Sequence, residues 1–157
     1  MRSVLLIALV LIVSAFSANP TRVYFKDLRK YNMGARVVPP AVKALDGKQI
    51  SIIGYMVPFD SVDKIDRFVL LQAPFMGCFH VPPPQPNESV LVKTRQANVN
   101  VTYDPVQITG TLKIEESYVD GYLVSLYTLT ATNVRAAQQK DAELDGLPAS
   151  FHMFSDF

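Results

Sequence analysis

The residues best suited to chemistry stand together in GCFHVPPPQPN, Gly77 to Asn87, which holds the only cysteine of the chain, one of its two histidines and four of its eleven prolines. In an extended segment alternate side chains share a face at a Cα spacing of about 7 Å, so Cys78 and His80 project together, and Met76 joins them if the segment stays regular. Metal–sulfur bonds of about 2.3 Å and metal–imidazole bonds of about 2.1 Å let such a pair converge on one ion. Thiolate, thioether and imidazole are soft to borderline ligands, which suits Zn(II) or Cu(I) rather than Ca or Mg. A closed zinc site takes about four protein ligands, and one Cys with two His falls short of that. The remaining donors would come from His152, from a carboxylate such as Asp60, Asp63 or Asp66, or from a second molecule. An open, exchangeable site fits better than a structural one.

The same residues have other readings, and they stay open at this point. A lone cysteine serves as a small buried hydrophobe, and a histidine beside prolines donates to a carbonyl and fixes a loop. For nucleophilic catalysis His80 would act as base for Cys78 from two residues away, yet no glycine-rich turn or helix start nearby offers an oxyanion hole, so no catalytic residue is assigned. A redox role lacks a resolving cysteine. Each residue before a proline is pushed into extended geometry, which holds Val81, Pro82 and Pro83 in polyproline II or strand-like form. Gly77, Pro82, Pro83, Pro84, Pro86 and Asn87 are thus expected to brace the loop, with Asn87 turning the chain back into ESVLVK. A stiff proline surface is also a ready recognition element for another protein.

The elements that must carry this loop begin after a leader. Arg2, the apolar run Val4 to Val13 and the small residues before Asn19-Pro20 have the layout of a secretory signal peptide, with cleavage expected after Ser17. The run is short for a membrane span, and no cysteine follows it to be acylated, so no membrane insertion is expected after cleavage. Losing Arg2 takes Lys+Arg from 15 to 14 against 14 Asp+Glu, a formal charge of zero. A neutral domain has no electrostatic footprint for nucleic acid. An unpaired Cys78 cannot be an internal disulfide staple in an oxidising compartment.

Residues 18–44 read as a helical extension: Phe25, Leu28 and Tyr31 fall at helical spacing, and Pro39-Pro40 suits the first turn of a second short helix through Leu45. From Asp46-Gly47 the pattern changes to strands. KQISIIGYMVPF carries Ile50 and Ile52 on one face, with Gly54 interrupting as a bulge or sharp coil does. DRFVLLQ, ESVLVKT, NVNVTY and PVQITGTLKI follow, and an Asp-Gly turn joins the last to a long final strand. The prediction is a mainly β protein, a small OB-like barrel of five to six strands over residues 45–135 with short flanking helices. Residues 136–157 are read as a C-terminal helix and an aromatic tail.

LDGKQISIIGYMVPF, FVLLQAP, GCFHVPPPQPNESVLV, PVQITGTL and GYLVSLY together resemble the bacterial exported proteins grouped as domain-of-unknown-function family 3299, over Leu45 to Leu129. The Cys-x-His-x-Pro-Pro-Pro-x-Pro-Asn run is the most specific part. The resemblance implies an envelope protein with an OB-like barrel, found beside ABC-type transport components and metal-linked envelope proteins. The expectation is an exported, periplasmic or secreted accessory protein that is not an enzyme and binds Zn or Cu(I) transiently, with an envelope transporter or other periplasmic protein as partner. The alternatives are a protein-interaction module without metal and a thiol-dependent enzyme.

Overall fold

Gln49–Pro58 is the strand about which the other elements are arranged, because its two halves pair with different neighbours. The computed structural model describes residues 19–59, 62–74, 83–94 and 99–148. Along them run β1 (Thr21–Arg22), α1 (Phe25–Leu28), α2 (Pro40–Lys43), β2 (Gln49–Pro58), β3 (Arg67–Leu71), β4 (Ser89–Thr94), β5 (Val106–Val119) and β6 (Tyr122–Ala136). Residues 49–54 of β2 pair with β5, whereas 55–58 pair with β3. Hydrogen bonding proceeds β1-β2-β3-β4-β6-β5 and returns from β5 to β2, closing a ring of five strands. Within that ring β4 and β6 run parallel, and the other neighbours run antiparallel. The fold is mainly β and OB-like, as the sequence predicts, with β1 as a sixth strand parallel to β2.

Alternation sets what the ring encloses. Ile50 and Ile52 of β2, Phe68 and Leu70 of β3, Val90 and Val92 of β4, Ile108 and Leu112 of β5 and Leu129 of β6 are fully buried in one core. The predicted N-terminal helix is a single turn, and it delivers Phe25 and Leu28 into that core. The hydroxyl of Tyr127 donates to the Leu28 carbonyl at 2.7 Å, so the turn is tied to β6 from inside. Burial pushes the Tyr127 phenol well above its ordinary range, which keeps it a neutral donor.

Two glycines mark where strands press together. A Cβ on Gly54 would stand 2.5 Å from the Leu71 carbonyl oxygen, at the point where β2 changes partners. One on Gly110 would collide with the Thr130 carbonyl, where the β5–β6 register shifts. The Asp120-Gly121 turn has both residues at positive φ, the geometry of a tight hairpin between β5 and β6.

Two sequence expectations differ from the structure. Of the alternating NVNVTY run, the described part makes only a single bridge, Val99 to Ile65, because the partner segment bends at Lys64, whose φ is 52°. The polar run after Val134 does not wind into an α-helix. Arg135 grips both oxygens of Asp141 at 2.7 and 2.8 Å, and Asp141 also accepts from the Gln138 amide, so the chain folds back on itself. A 3-10 turn, Ala142–Gly146, then lies across the outer face of β2, where Leu144, Leu147 and Ala137 pack on Ile53 and Tyr55. No helix among the described residues is long and apolar enough to cross a membrane.

Candidate functional site

The connection from β3 to β4 carries the Cys-x-His run. Met76, Gly77, Cys78, His80 and Pro82 lie outside the described residues, as do His152 and Asp60. The pairing of thiol with imidazole is therefore carried by the sequence alone. Asp63 and Asp66 are exposed and belong to a different connection, between β2 and β3. Among the described residues no group of three or more His, Cys, Asp or Glu side chains is arranged to hold a metal ion.

What the structure describes is the two feet of the loop. On the returning side Pro83 and Pro84 are exposed, Gln85 is extended with φ −76° and ψ 156°, and a 3-10 turn over Pro86–Glu88 leads into β4. Proline at the first position of that turn costs no hydrogen bond there. The Gln85 amide donates to Glu88 Oε2 at 3.1 Å, closing the turn. Ser89 then donates to the Val124 carbonyl at 2.6 Å, and Ser125 donates to the Ser89 carbonyl at 2.7 Å, so the foot is stitched to β6.

The outgoing foot is Gln72, one residue past β3. Its carbonyl Oε1 accepts from Arg29 Nη1 at 2.7 Å, and its Nε2 donates to the Gly146 carbonyl at 2.7 Å. The same Arg29 nitrogen lies 3.8 Å from Glu88 Oε1. One guanidinium at the end of α1 thus spans both feet. The half-exposed ion pair adds little by itself, and the short hydrogen bond to Gln72 does the positioning.

Asn87 is the polar residue that the 3-10 turn drives inward. It is 5% exposed, and its Oδ1 has no hydrogen-bond partner among the described residues. A buried carbonyl oxygen without a donor costs about 1–3 kcal/mol. Its place, immediately after the proline run, makes it an acceptor at the base of the loop.

The sequence profile of a family described as "Protein of unknown function (DUF3299)" matches residues 20–136. The chain belongs to the DUF3299 family. A crystal structure of a DUF3299 family protein from Pseudomonas aeruginosa PAO1 is similar, at 26% identity and a TM-score of 0.57, over 78% of this chain and 99% of that one. A comparison with curated proteins gives no match. The matched DUF3299 range takes in the whole ring and both feet of the loop and stops before the C-terminal strap, residues 137–148.

That strap brings a second polar cluster onto this DUF3299 barrel. Glu143 is 4% exposed, and its Oε1 accepts from Ser51 Oγ at 2.6 Å and from Gln107 Nε2 at 3.2 Å. Asp141, two residues earlier, is held below the usual carboxylate range chiefly by its hydrogen bonds from Arg135. Sequence reasoning missed Arg29, Gln72 and Glu143, and gave Asn87 the role of bracing and turning the loop without foreseeing its buried Oδ1. One signal for Glu143 was present: Ser51, a hydroxyl inside the apolar run ISIIGY, needs a partner when buried.

Proposed function

We propose that this DUF3299 protein is an exported, non-enzymatic accessory of the bacterial envelope, periplasmic or secreted, whose β3–β4 loop binds one Zn(II) or Cu(I) ion transiently. Cys78 and His80 are the ligands, with Met76 and His152 as further donors, and the ion passes to an envelope transporter. The observation that carries this reading is the buried Oδ1 of Asn87 at the base of the loop, which has no partner among the described residues. A metal-ligating histidine hands its second ring N–H to an acceptor that fixes its tautomer and orientation, and a carbonyl oxygen is such an acceptor. The clamp of Arg29 on Gln72 and Glu88 supports it further, since a ligand-bearing loop needs fixed ends to bring sulfur and nitrogen to one ion.

Anaerobic titration of the mature protein with Zn(II) and with Cu(I) tests it. Saturation is expected near one ion per chain, with strong weakening in Cys78→Ser and His80→Ala and a loss of about ten- to a hundredfold in Asn87→Ala. Equal binding by the Cys78→Ser/His80→Ala double variant removes the proposed site.

A second reading is a protein-recognition surface without metal. It rests on the exposed Pro83 and Pro84 and the extended Gln85, a short preformed polyproline II face. Capture of an envelope partner that survives Cys78→Ser but fails when Pro83 and Pro84 are replaced by alanine favours it over the first.

A further inference from the structure

The cluster around Glu143 sits in a cleft of about 710 Å³ on the outer face of the barrel, lined by neither described foot of the loop and independent of the metal reading. Strand registers build its floor: Arg22 lies beside Ser51 across the β1–β2 pairing, and Ser51 beside Thr109 across β2–β5, so the three stand in one row. Gln107 adds to that floor, and the strap raises a wall carrying Lys140 and Glu143.

The charges in this cleft do not balance in pairs. Glu143 has two neutral donors on Oε1, and among the described residues neither a donor on Oε2 nor a cation within ion-pair distance. A buried carboxylate so held keeps one oxygen for a charged donor. Arg22 and Lys140 have no ion-pair partner among the described residues either. Asp141 lines the same cleft, but Arg135 occupies both its oxygens.

These facts narrow the ligand by elimination. A simple anion would meet the Glu143 carboxylate, and a simple cation would meet Arg22 and Lys140. A hard divalent cation such as Ca or Mg wants about six or more oxygen ligands, several of them charged, and a softer ion such as Zn wants several His, Cys or carboxylate ligands; among the described residues no group of three or more His, Cys, Asp or Glu is arranged to hold either. A molecule carrying an ammonium and a carboxylate a few ångströms apart satisfies both signs. Gln107 has its Nε2 engaged by Glu143, and Thr109, which lines the cleft, carries a hydroxyl that is a further acceptor for an ammonium with three N–H donors. A volume of this size falls in the range of small-molecule sites.

We propose that this cleft binds a small zwitterion bearing an α-amino group, its ammonium on Glu143 Oε2 and its carboxylate facing Arg22 and Lys140. A free α-amino acid and a short peptide share that chemistry, and the probes separate them.

The test is calorimetric titration of the mature protein with L-alanine and with alanyl-alanine. N-acetylalanine, which lacks the ammonium, and ethylamine, which lacks the carboxylate, are the controls. One zwitterion saturates near one per chain, and both controls bind at least about tenfold more weakly, as loss of a charged hydrogen bond requires. Preference for alanine identifies a free amino acid, and preference for alanyl-alanine a peptide; either supports the site. Glu143→Gln, which preserves shape and the bond from Ser51, weakens zwitterion binding by about tenfold or more. Because that residue also holds the strap, Arg22→Gln/Lys140→Gln is the companion variant. Both residues are exposed and outside the hydrogen-bond network, and their loss weakens the zwitterion while leaving ethylamine unchanged. No saturation by either zwitterion, controls that bind equally well, or affinity unchanged in both variants overturns the proposal.

Discussion

Arg135 and Asp141 decide where the strap lies, and their pairing has a pH dependence of definite sign. The Asp141 carboxyl is held below its ordinary value of 3.8, mainly by the Arg135 hydrogen bonds. A depressed folded-state pKa means that the pair stabilises fully above the ordinary carboxylate range. That stabilisation is lost as pH falls from about 4 through the lowered value. Because Arg135 is a third exposed, solvent screening keeps the contribution modest. Asp141→Asn should cost about 1 kcal/mol in urea unfolding at pH 7 and flatten the fall in thermal midpoint between pH 4 and pH 2. An unchanged acid slope in that variant would place the titrating group elsewhere. The same residues show why the strap was not legible in sequence: helix propensity in RAAQQKDAELD is genuine, and a two-pronged ion pair between side chains six apart overrode it. Glu143 could not be singled out for a different reason: Ser51 signals that some partner is needed, and that partner stands 92 positions away. Local spacing carries no trace of such a contact.

At the scale of elements, the strands were readable because each obeys one simple rule. Ile50 and Ile52 alternate with Ser51, and Asp120-Gly121 has the composition a two-residue hairpin demands. Gly54 was readable as an interruption, and the structure shows which carbonyls it and Gly110 admit. Gly110→Ala is expected to destabilise by about 1–3 kcal/mol, with a matching drop in thermal midpoint, because the added methyl meets backbone on β6 rather than a movable side chain. A neutral effect would mean that the β5–β6 bulge absorbs the methyl by shifting register. The run 98–103 shows the converse: its alternation is sound, but the facing segment turns away at Lys64, so its described residues, 99–103, make a bridge in place of a strand. The loop is a mixed case. Its proline content predicts stiffness, and of the described part Gln85 is extended, as a residue before proline tends to be. The inward turn of Asn87 depends on Ser89 and Ser125 anchoring the foot, which no local pattern announces.

Across the whole molecule, hydrogen bonds cross-link three packed parts: the turn α1, the ring and the strap. The Tyr127 hydroxyl joins α1 to the ring, and Gln72 joins α1, the loop and the strap through Arg29 and the Gly146 carbonyl. Tyr127→Phe keeps the shape and leaves the Leu28 carbonyl with the Tyr31 amide as its remaining donor. It should cost about 1–2 kcal/mol and raise amide hydrogen exchange in residues 25–31 more than in β2 or β5. Exchange raised uniformly would show that α1 and the ring open as one unit.

The return pairing of β5 to β2 brings Gln49–Gly54 against Val106–Thr111, and β6, last of the strands, must slot between β4 and β5. Such a topology has high contact order, so folding on a timescale on the order of milliseconds to seconds is expected instead of microseconds. A nascent chain that ends before Tyr122 presents two raw strand edges with nothing to cap them, and the final fifteen-residue strand is what seals both at once.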